Sequence, residues 1–313
     1  MKSLLNNKIF LFATLATGAL ANTCLANTEY VYLSTATGIK EFTPGGTAET
    51  LENSVGVTGL VFGSNGDLYA DSFRQFVYEV GPGGVTTTFA NSVGLLNGNL
   101  GMVFDASGNL YVGQDFSNSL TKITPAGTTS AFTGNLGNGP FGTAIDGSGD
   151  FFSTLDNGQI EEVTPAGSGS TYKTGFSDTR GIAFDSSGDL FVSDIGTDRI
   201  DELALGSSTF TVFATVTGAP VSLAFDSAGN LFVTDQGTQQ ILEFAAGSNT
   251  STVFASGIGA NNTSYLAISS EDLVGAPEPA TWSMVALGVV ALMIGRRKSK
   301  RKDEQRAQPR SGC

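Results

Sequence analysis

One stretch of sequence recurs five times: GLVFGSNGDLYADS from Gly59, GMVFDASGNLYVGQD from Gly101, GTAIDGSGDFFSTLD from Gly142, GIAFDSSGDLFVSD from Gly181 and SLAFDSAGNLFVTD from Ser222. Its turn glycines, Gly66, Gly108, Gly149, Gly188 and Gly229, stand 42, 41, 39 and 41 residues apart. Self-similarity at such a period marks an array of one supersecondary unit that cannot bury its apolar surface alone and must stack on its copies. A fold built around one unrepeated core is thereby excluded.

Each copy holds an apolar stretch, a polar turn such as Asp185-Ser186-Ser187-Gly188-Asp189, and a second apolar stretch such as Leu190-Phe191-Val192. Glycine admits the positive φ of a tight hairpin turn and Asp or Ser bonds neighbouring backbone groups, so the two stretches read as antiparallel strands. A third signal follows in Ile39-Lys40-Glu41-Phe42, Val77-Tyr78-Glu79-Val80, Leu120-Thr121-Lys122-Ile123, Ile160-Glu161-Glu162-Val163, Ile200-Asp201-Glu202-Leu203 and Ile241-Leu242-Glu243-Phe244. Its apolar residues sit at the first and fourth positions, which is not strict alternation, so this strand rests on its recurrence. A fourth, more variable stretch is clearest at Thr211-Val212-Phe213 and Thr252-Val253-Phe254. Four strands in a unit of about 40–45 residues is the pattern of a β-propeller blade.

The ends of the repeat region fix the count. Residues 30–42 supply a second and third strand with no first, while Tyr265-Leu266-Ala267-Ile268 supplies a first strand with nothing after it. Five whole units and this split one predict an all-β, six-bladed β-propeller over residues 27–270, closed by strand pairing within the split blade. A linear solenoid, the other arrangement considered, leaves both fragments unpaired. Within the first strand Val61, Val103, Ala144, Ala183, Ala224 and Ala267 are small, as crowded central strands require, and Phe62, Phe104, Ile145, Phe184, Phe225 and Ile268 fill the space between blades. The chain's 22 phenylalanines are therefore core residues first. The unit, most clearly Phe-Asp-Ser-Ser-Gly-Asp-Leu-Phe-Val-Ser-Asp at residues 184–194, resembles the NHL repeat and the gluconolactonase-like, senescence-marker group of six-bladed propellers over roughly residues 29–270. The resemblance implies the fold, an architecture that hosts enzymes, sensors and binding modules alike.

The two termini read as addresses. Lys2 and Lys8, the apolar run Ile9 to Ala16, and small-residue cleavage sites ending at Ala21 and Ala26 make residues 1–26 a secretory signal peptide, with cleavage placed after Ala26. Cys24 leaves a lipoprotein as the other reading, against which Thr23 stands in the small-residue position before it. At the far end, a linker over 271–279 carries Pro277-Glu278-Pro279. An apolar run over 280–295 follows as a single transmembrane helix, and Arg296 and Arg297 open a basic cytoplasmic tail over 296–313. This order resembles the PEP-CTERM sorting signal of Gram-negative bacteria, which implies recognition and removal by an exosortase-type processing enzyme. An ordinary tail anchor is the alternative. The resemblance implies export across the inner membrane, a membrane-anchored precursor, and then the outer surface or extracellular matrix.

Setting both ends aside, residues 27–295 keep six basic and 27 acidic residues, a net charge of −21. Such a field repels anionic polymers, so no nucleic acid is expected as partner. The chain has no histidine, which excludes Ser-His-Asp and Cys-His nucleophile systems and His-ligated zinc. Both cysteines, Cys24 and Cys313, lie in the end segments, so no disulfide is expected in the middle.

The gluconolactonase-like resemblance implies calcium-dependent lactone hydrolysis, with carboxylate and amide side chains at the channel mouth holding the metal and the metal polarising the lactone carbonyl. The pairs leading into the central strands here are Val57-Thr58, Asn99-Leu100, Pro140-Phe141, Thr179-Arg180, Pro220-Val221 and Thr263-Ser264, which contain no carboxylate. The family's Glu-Gly-Pro start is also absent. A second candidate set is Asp71, Asp115, Asp156, Asp194 and Asp235, which follow the second strand and are expected on one rim. As a ring they could take Ca²⁺, a basic peptide or sugar hydroxyls; singly, each could cap its own loop. Asp105, Asp146, Asp185 and Asp226 recur with turn chemistry on the opposite rim, and Glu41, Glu79, Glu162, Glu202 and Glu243 read as solvated faces. Arg180 is the sole basic residue near the predicted mouth, placed to orient a carboxylate or anionic sugar or to pair with an acid. The reading is a secreted, surface-sorted, non-enzymatic binding or scaffold propeller of the envelope or exopolysaccharide matrix, monomeric, with an unidentified protein or glycan ligand. No cofactor is required, Ca²⁺ being the one ion considered. Its alternative is the calcium-dependent lactone or ester hydrolase.

Overall fold

The computed structural model describes residues 29–52, 56–72, 76–81, 84–91, 99–134, 136–259 and 264–269. The signal peptide, the Pro277-Glu278-Pro279 linker, the apolar run over 280–295 and the basic tail with Arg296 and Arg297 lie outside the described residues.

The described chain forms six four-stranded antiparallel sheets. It enters on β1 (Tyr30–Thr35), β2 (Gly38–Phe42) and β3 (Ala48–Glu52). Blade 1 follows as β4 (Val57–Phe62), β5 (Leu68–Ser72), β6 (Phe76–Val80) and β7 (Thr86–Asn91). Blade 2 is β8 (Asn99–Phe104), β9 (Leu110–Gln114), β10 (Ser119–Ile123) and β11 (Thr129–Gly134). Blade 3 is β12 (Pro140–Ile145), β13 (Phe151–Leu155), β14 (Ile160–Val163) and β15 (Gly169–Lys173). Blade 4 is β16 (Thr179–Phe184), β17 (Leu190–Asp194), β18 (Arg199–Leu203) and β19 (Thr211–Thr215). Blade 5 is β20 (Pro220–Phe225), β21 (Leu231–Asp235), β22 (Gln240–Phe244) and β23 (Ser251–Ser256). Blade 6 is completed by β24 (Leu266–Ser269), which pairs with β1 through Tyr30↔Ser269, Val31↔Ile268, Tyr32↔Ala267 and Leu33↔Leu266. The two fragments found unpaired in the sequence are thus each other's partners. Innermost strands β4, β8, β12, β16, β20 and β24 touch in ring order, β24 returning to β4.

Six apolar clusters, one between each pair of neighbouring blades, make up the core. The small and bulky residues of each inner strand sit on opposite faces. Ala183 joins the cluster shared with blade 5 while Phe184 joins the one shared with blade 3; Ala224 and Phe225 divide in the same way. Each interface therefore packs a small residue of one blade against a bulky one of the next. Second-strand rings meet the next blade's inner-strand rings edge to face, as in Tyr69–Phe104 at 5.0 Å, Phe152–Phe184 at 5.3 Å and Phe191–Phe225 at 5.1 Å. Such pairs add about 0.5–1.5 kcal/mol each beyond their buried area.

Glycines set how closely the inner strands approach. A Cβ on Gly59, Gly101, Gly142 or Gly181 would lie 2.3, 2.6, 2.5 or 2.4 Å from the backbone oxygen of Leu100, Phe141, Arg180 or Val221, always on the next blade. A bulge beside the glycine in each of these strands frees the inner strand from regular pairing with its neighbour. A second-strand hydroxyl takes the freed amide: Gly142 N–H donates to Thr154 Oγ1 (2.9 Å) and Gly181 N–H to Ser193 Oγ (2.7 Å). The same hydroxyls donate onward to the next blade, Thr154 to the Arg180 carbonyl (2.6 Å) and Ser193 to the Val221 carbonyl (2.9 Å).

Candidate functional site

The loops joining second to third strands and those entering the inner strands converge on one face of the ring, around the axial channel. Arg180, the second residue of β16, lies at this mouth with its side chain only 9% exposed. Its guanidinium carbon stands 3.6 Å from the centroid of the Phe141 ring of β12. Nη1 meets Asp156 Oδ1 at 3.1 Å and Asp178 Oδ1 at 3.0 Å, and Nη2 donates to Asp178 Oδ2 at 3.2 Å. A planar cation held between an aromatic face and two carboxylates has its charge met within the protein.

Beneath it the shaft is spanned. Tyr265, just before β24 in blade 6, donates its hydroxyl to the Phe141 carbonyl at 2.7 Å. Blades 6 and 3 face each other across the ring, so this bond crosses the axis. Burial raises the Tyr265 phenol well above its ordinary range, Arg180 works against that rise, and Asp115 adds to it. The axial cavity, lined in part by Gly101, Gly142, Gly181, Ser222 and Tyr265, measures about 70 Å³, room for a few waters at most.

Asp115 completes the mouth. Burial and the nearby Asp156 charge push its carboxyl up, and Arg180 draws it down. Asp178 is likewise raised: burial outweighs the pull of Arg180, and Asp156 and Asp194 add to it. Among the described residues gathered here, three carboxylates against one guanidinium leave a surplus of hydrogen-bond acceptors and negative charge.

The five aspartates read from the repeat do not share one register. Asp194 and Asp235 end their strands opposite Thr179 and Pro220, Asp71 stands one position earlier in β5 opposite Gly59, and Asp115 and Asp156 lie one residue beyond strand ends held by Gln114 and Leu155. A one-residue shift turns a strand side chain to the other face. Asp71, Asp194 and Asp235 are fully buried. Asp194 accepts the N–H groups of Ser177 (3.0 Å), Asp178 (3.0 Å) and Gly196 (3.2 Å), and Asp235 accepts that of Thr238 (3.1 Å), so both brace loops. Of the residues singled out in the sequence, the structure brings Asp115, Asp156 and Arg180 together. Asp178 was missed because it precedes the recurring motif, and Tyr265 because it was read only as part of a strand; its signal was a large ring at the motif position where the other copies carry Gly59, Gly101, Gly142, Gly181 and Ser222.

On the opposite face the turn aspartates bond their own turns: Asp105 accepts Ser107 N–H and Asn109 N–H, and Asp146 and Asp185 repeat the pattern. One third-strand glutamate departs from the expectation of a solvated face, since Glu41 of β2 is buried.

The mouth can be tested against the calcium that the gluconolactonase-like resemblance implies. Calcium takes about 6–8 oxygen ligands, yet among the described residues no three acidic side chains are arranged to hold a metal ion. Asp156 and Asp178 are instead closed on Arg180, a fixed cation where a divalent ion would have to sit. The residues do not fit the metal.

No protein-family model matches the chain, and no curated protein does. Solved structures do. A chain of a nidogen–laminin complex superposes with a TM-score of 0.68 at 15% identity, covering 77% of this chain and 98% of that one. A histidine-to-alanine virginiamycin B lyase from Staphylococcus aureus with quinupristin, described as catalytically inactive, gives 0.57 at 16%, covering 72% and 79%. A gluconolactonase from Xanthomonas campestris gives 0.55 at 17%, covering 62% and 74%. The likeness is one of fold. This six-bladed propeller shares its architecture with both a binding partner in a complex and enzymes of unrelated chemistry, so its role has to be argued from its own side chains.

Proposed function

We propose that the chain is a secreted, surface-sorted, non-enzymatic propeller that binds a protein or glycan component of the envelope or exopolysaccharide matrix at its channel mouth. The observation that carries this reading is the Arg180 cage. The Arg180 guanidinium at the mouth is held by Asp156 and Asp178 over the Phe141 ring, above a shaft crossed by the Tyr265 hydroxyl. A mouth organised this way offers fixed acceptors to a donor-rich ligand and repels anions. The chain has no histidine, while loss of one histidine accompanies the inactive state of the staphylococcal lyase variant. Lyase chemistry dependent on such a group has no counterpart here.

Export on residues 1–26 and sorting through Pro277-Glu278-Pro279, the 280–295 helix and Arg296-Arg297, with an exosortase-type enzyme as processing partner, complete the proposal. They carry the propeller through the inner membrane to the outer surface of a Gram-negative cell as a monomer. The test uses the mature chain purified from its host, assayed against a lactone and ester panel with and without calcium and against envelope glycans and proteins. The expected result is binding that Asp115→Asn and Asp156→Asn weaken, no calcium-stimulated turnover, and a mass ending before Arg296. Calcium-dependent hydrolysis would establish the hydrolase reading in its place, and a retained basic tail would remove the sorting step.

A further inference from the structure

The face opposite the channel mouth carries two adjoining grooves between blades 1 and 2 and between blades 2 and 3. The first has a volume of about 540 Å³ and is bounded by Asn65, Tyr69 and Glu79 of blade 1 and by Phe104, Asp105 and Pro125 of blade 2. The second, about 600 Å³, is bounded by Asp105, Tyr111 and Lys122 of blade 2 and by Asp146, Phe151 and Pro165 of blade 3. The turn from Asp105 to Ser107 is a wall of both. Each is of the size that takes a small ligand.

The first groove differs from the second in its wall, because blade 1 departs from the repeat. Where blades 2 to 5 carry Asp105, Asp146, Asp185 and Asp226, blade 1 carries Gly63. A Cβ there would lie 2.5 Å from Asn65 Oδ1 and 2.8 Å from the Tyr69 ring. Glycine thus leaves room for the Asn65 amide where the other blades carry a carboxylate, while the phenol is common to both grooves, Tyr69 matching Tyr111. Asn65 Nδ2 donates to Asp67 Oδ2 (2.7 Å) and reaches Tyr69 Oη (3.1 Å) and Glu79 Oε1 (3.3 Å), and the Tyr69 hydroxyl donates to Glu79 Oε1 (2.9 Å). Burial pushes the Tyr69 phenol up to about 12, which keeps it neutral.

The carboxylate at the dividing turn and one oxygen of Glu79 are already engaged within the protein. Glu79 Oε1 accepts from Tyr69 and Asn65. Asp105 accepts from the N–H groups of Ser107 and Asn109, from Asn109 Nδ2 (2.8 Å) and from the Tyr111 hydroxyl (3.1 Å). A cationic ligand finds both oxygens of the shared Asp105 and Glu79 Oε1 already accepting, so at the dividing turn it gains no open carboxylate edge, and an anionic one meets Glu79, Asp105 and Asp146 against Lys122 alone. A hydroxyl suits both sides, because it donates and accepts at once. Half-buried Phe104, edge to face with Tyr69 at 5.0 Å, supplies an apolar wall for carbon-bound hydrogens.

We propose that this double groove binds a neutral chain of polyhydroxylated rings, a neutral oligosaccharide, with successive units seated on either side of the Asp105–Ser107 turn. The site lies on the face opposite the channel mouth and stands apart from the reading given to that mouth.

The test is calorimetric titration of the full chain with neutral hexose oligosaccharides of three and six units built from glucose, galactose or mannose, with hexalysine and hexagalacturonate alongside. The six-unit chain of one neutral sugar is expected to bind roughly tenfold or more tightly than its three-unit form, since it engages both grooves. Gly63→Asp, whose side chain would displace Asn65 and Tyr69 from the wall of the first groove, and Ser107→Trp, which obstructs the shared wall, are each expected to weaken it by about tenfold or more. Asn65→Ala lies on an exposed turn and repeats the test if either variant fails to fold. Retained affinity in the folded variants, equal affinity for three and six units, binding of hexalysine or hexagalacturonate in preference, or no neutral oligosaccharide bound would each overturn the proposal.

Discussion

Ser193 shows how much of the ring is decided one side chain at a time. Its hydroxyl accepts the amide that a bulge frees in its own blade and donates to a carbonyl of the next, so one buried oxygen joins two inner strands. Ser193→Ala leaves Gly181 N–H and the Val221 carbonyl buried without that partner, and each such group costs about 1–3 kcal/mol. Denaturant unfolding is expected to show a loss of about 2 kcal/mol or more, whereas Ser193→Thr stays within about 1 kcal/mol, because Thr154 already makes both bonds at the equivalent position. Equal midpoints for Ala and Thr would remove the latch. The sequence displayed the serine but not its task, since Ser193, Thr154 and Thr234 read as ordinary polar positions of a half-buried strand. The same blindness to register grouped Asp71 with Asp115 and Asp194. The common letter was visible, while the bulges that separate their positions depend on how inner strands crowd the axis.

At the scale of the strand, the puzzle of the third signal resolves. Ile200 and Leu203 sit at first and fourth positions of that signal because a blade has no solvent face: Ile200 enters the cluster with blade 5 and Leu203 the cluster with blade 3. Alternation is a rule for sheets wet on one side, so its failure here was itself a sign of stacked sheets. Edge protection is also built at this scale. Every outer pair carries a register shift, as between Ile200 and Asp201 or Ile241 and Leu242, and bulges of this kind twist an exposed edge away from foreign strands. The inner strands are held to glycine for a different reason. Gly181→Ala puts a Cβ 2.4 Å from a backbone oxygen of blade 5 that cannot swing aside, and overpacking of that kind costs about 3 kcal/mol. Gly147→Ala, on a turn with nothing within 4 Å of the added carbon, is expected to change stability by no more than about 0.5 kcal/mol. Calorimetric melting of the two variants separates close approach from a general intolerance of alanine; a Gly181 variant that melts with the parent would mean that the blades are not held at this spacing.

Over the whole molecule charge weighs most, and the structure sharpens what the count of 27 acids in residues 27–295 could only outline. Three of the third-strand glutamates, solvated by the sequence reading, are brought beside turn aspartates. Burial raises the Glu162 carboxyl, with Asp150 and Asp146 adding to it; Glu202 rises the same way with Asp189 and Asp185, and Glu243 with Asp226. At the mouth Asp115 and Asp178 are raised as well. A carboxyl held above its unfolded value binds protons more readily in the folded state, so it contributes stability below the ordinary carboxylate range and loses it as pH climbs through the folded value. Asp105 runs the other way: burial resists its ionisation, yet its bonds from Asn109, Tyr111 and Ser107 hold it low, so its contribution is lost only under stronger acid. Between neutral pH and the top of the carboxylate range the raised groups therefore prevail. The melting temperature is expected to rise as pH falls from 7 toward 5, and added salt should raise it more at pH 7 than at pH 5, since screening relieves the same repulsion. Glu162→Gln should flatten part of that slope by removing one member of the Asp146, Asp150 and Glu162 group. Scanning calorimetry across this pH interval decides it: a melting temperature that falls on mild acidification would mean that paired, lowered carboxylates govern the ring and that the crowding of acids on its two faces carries no net cost.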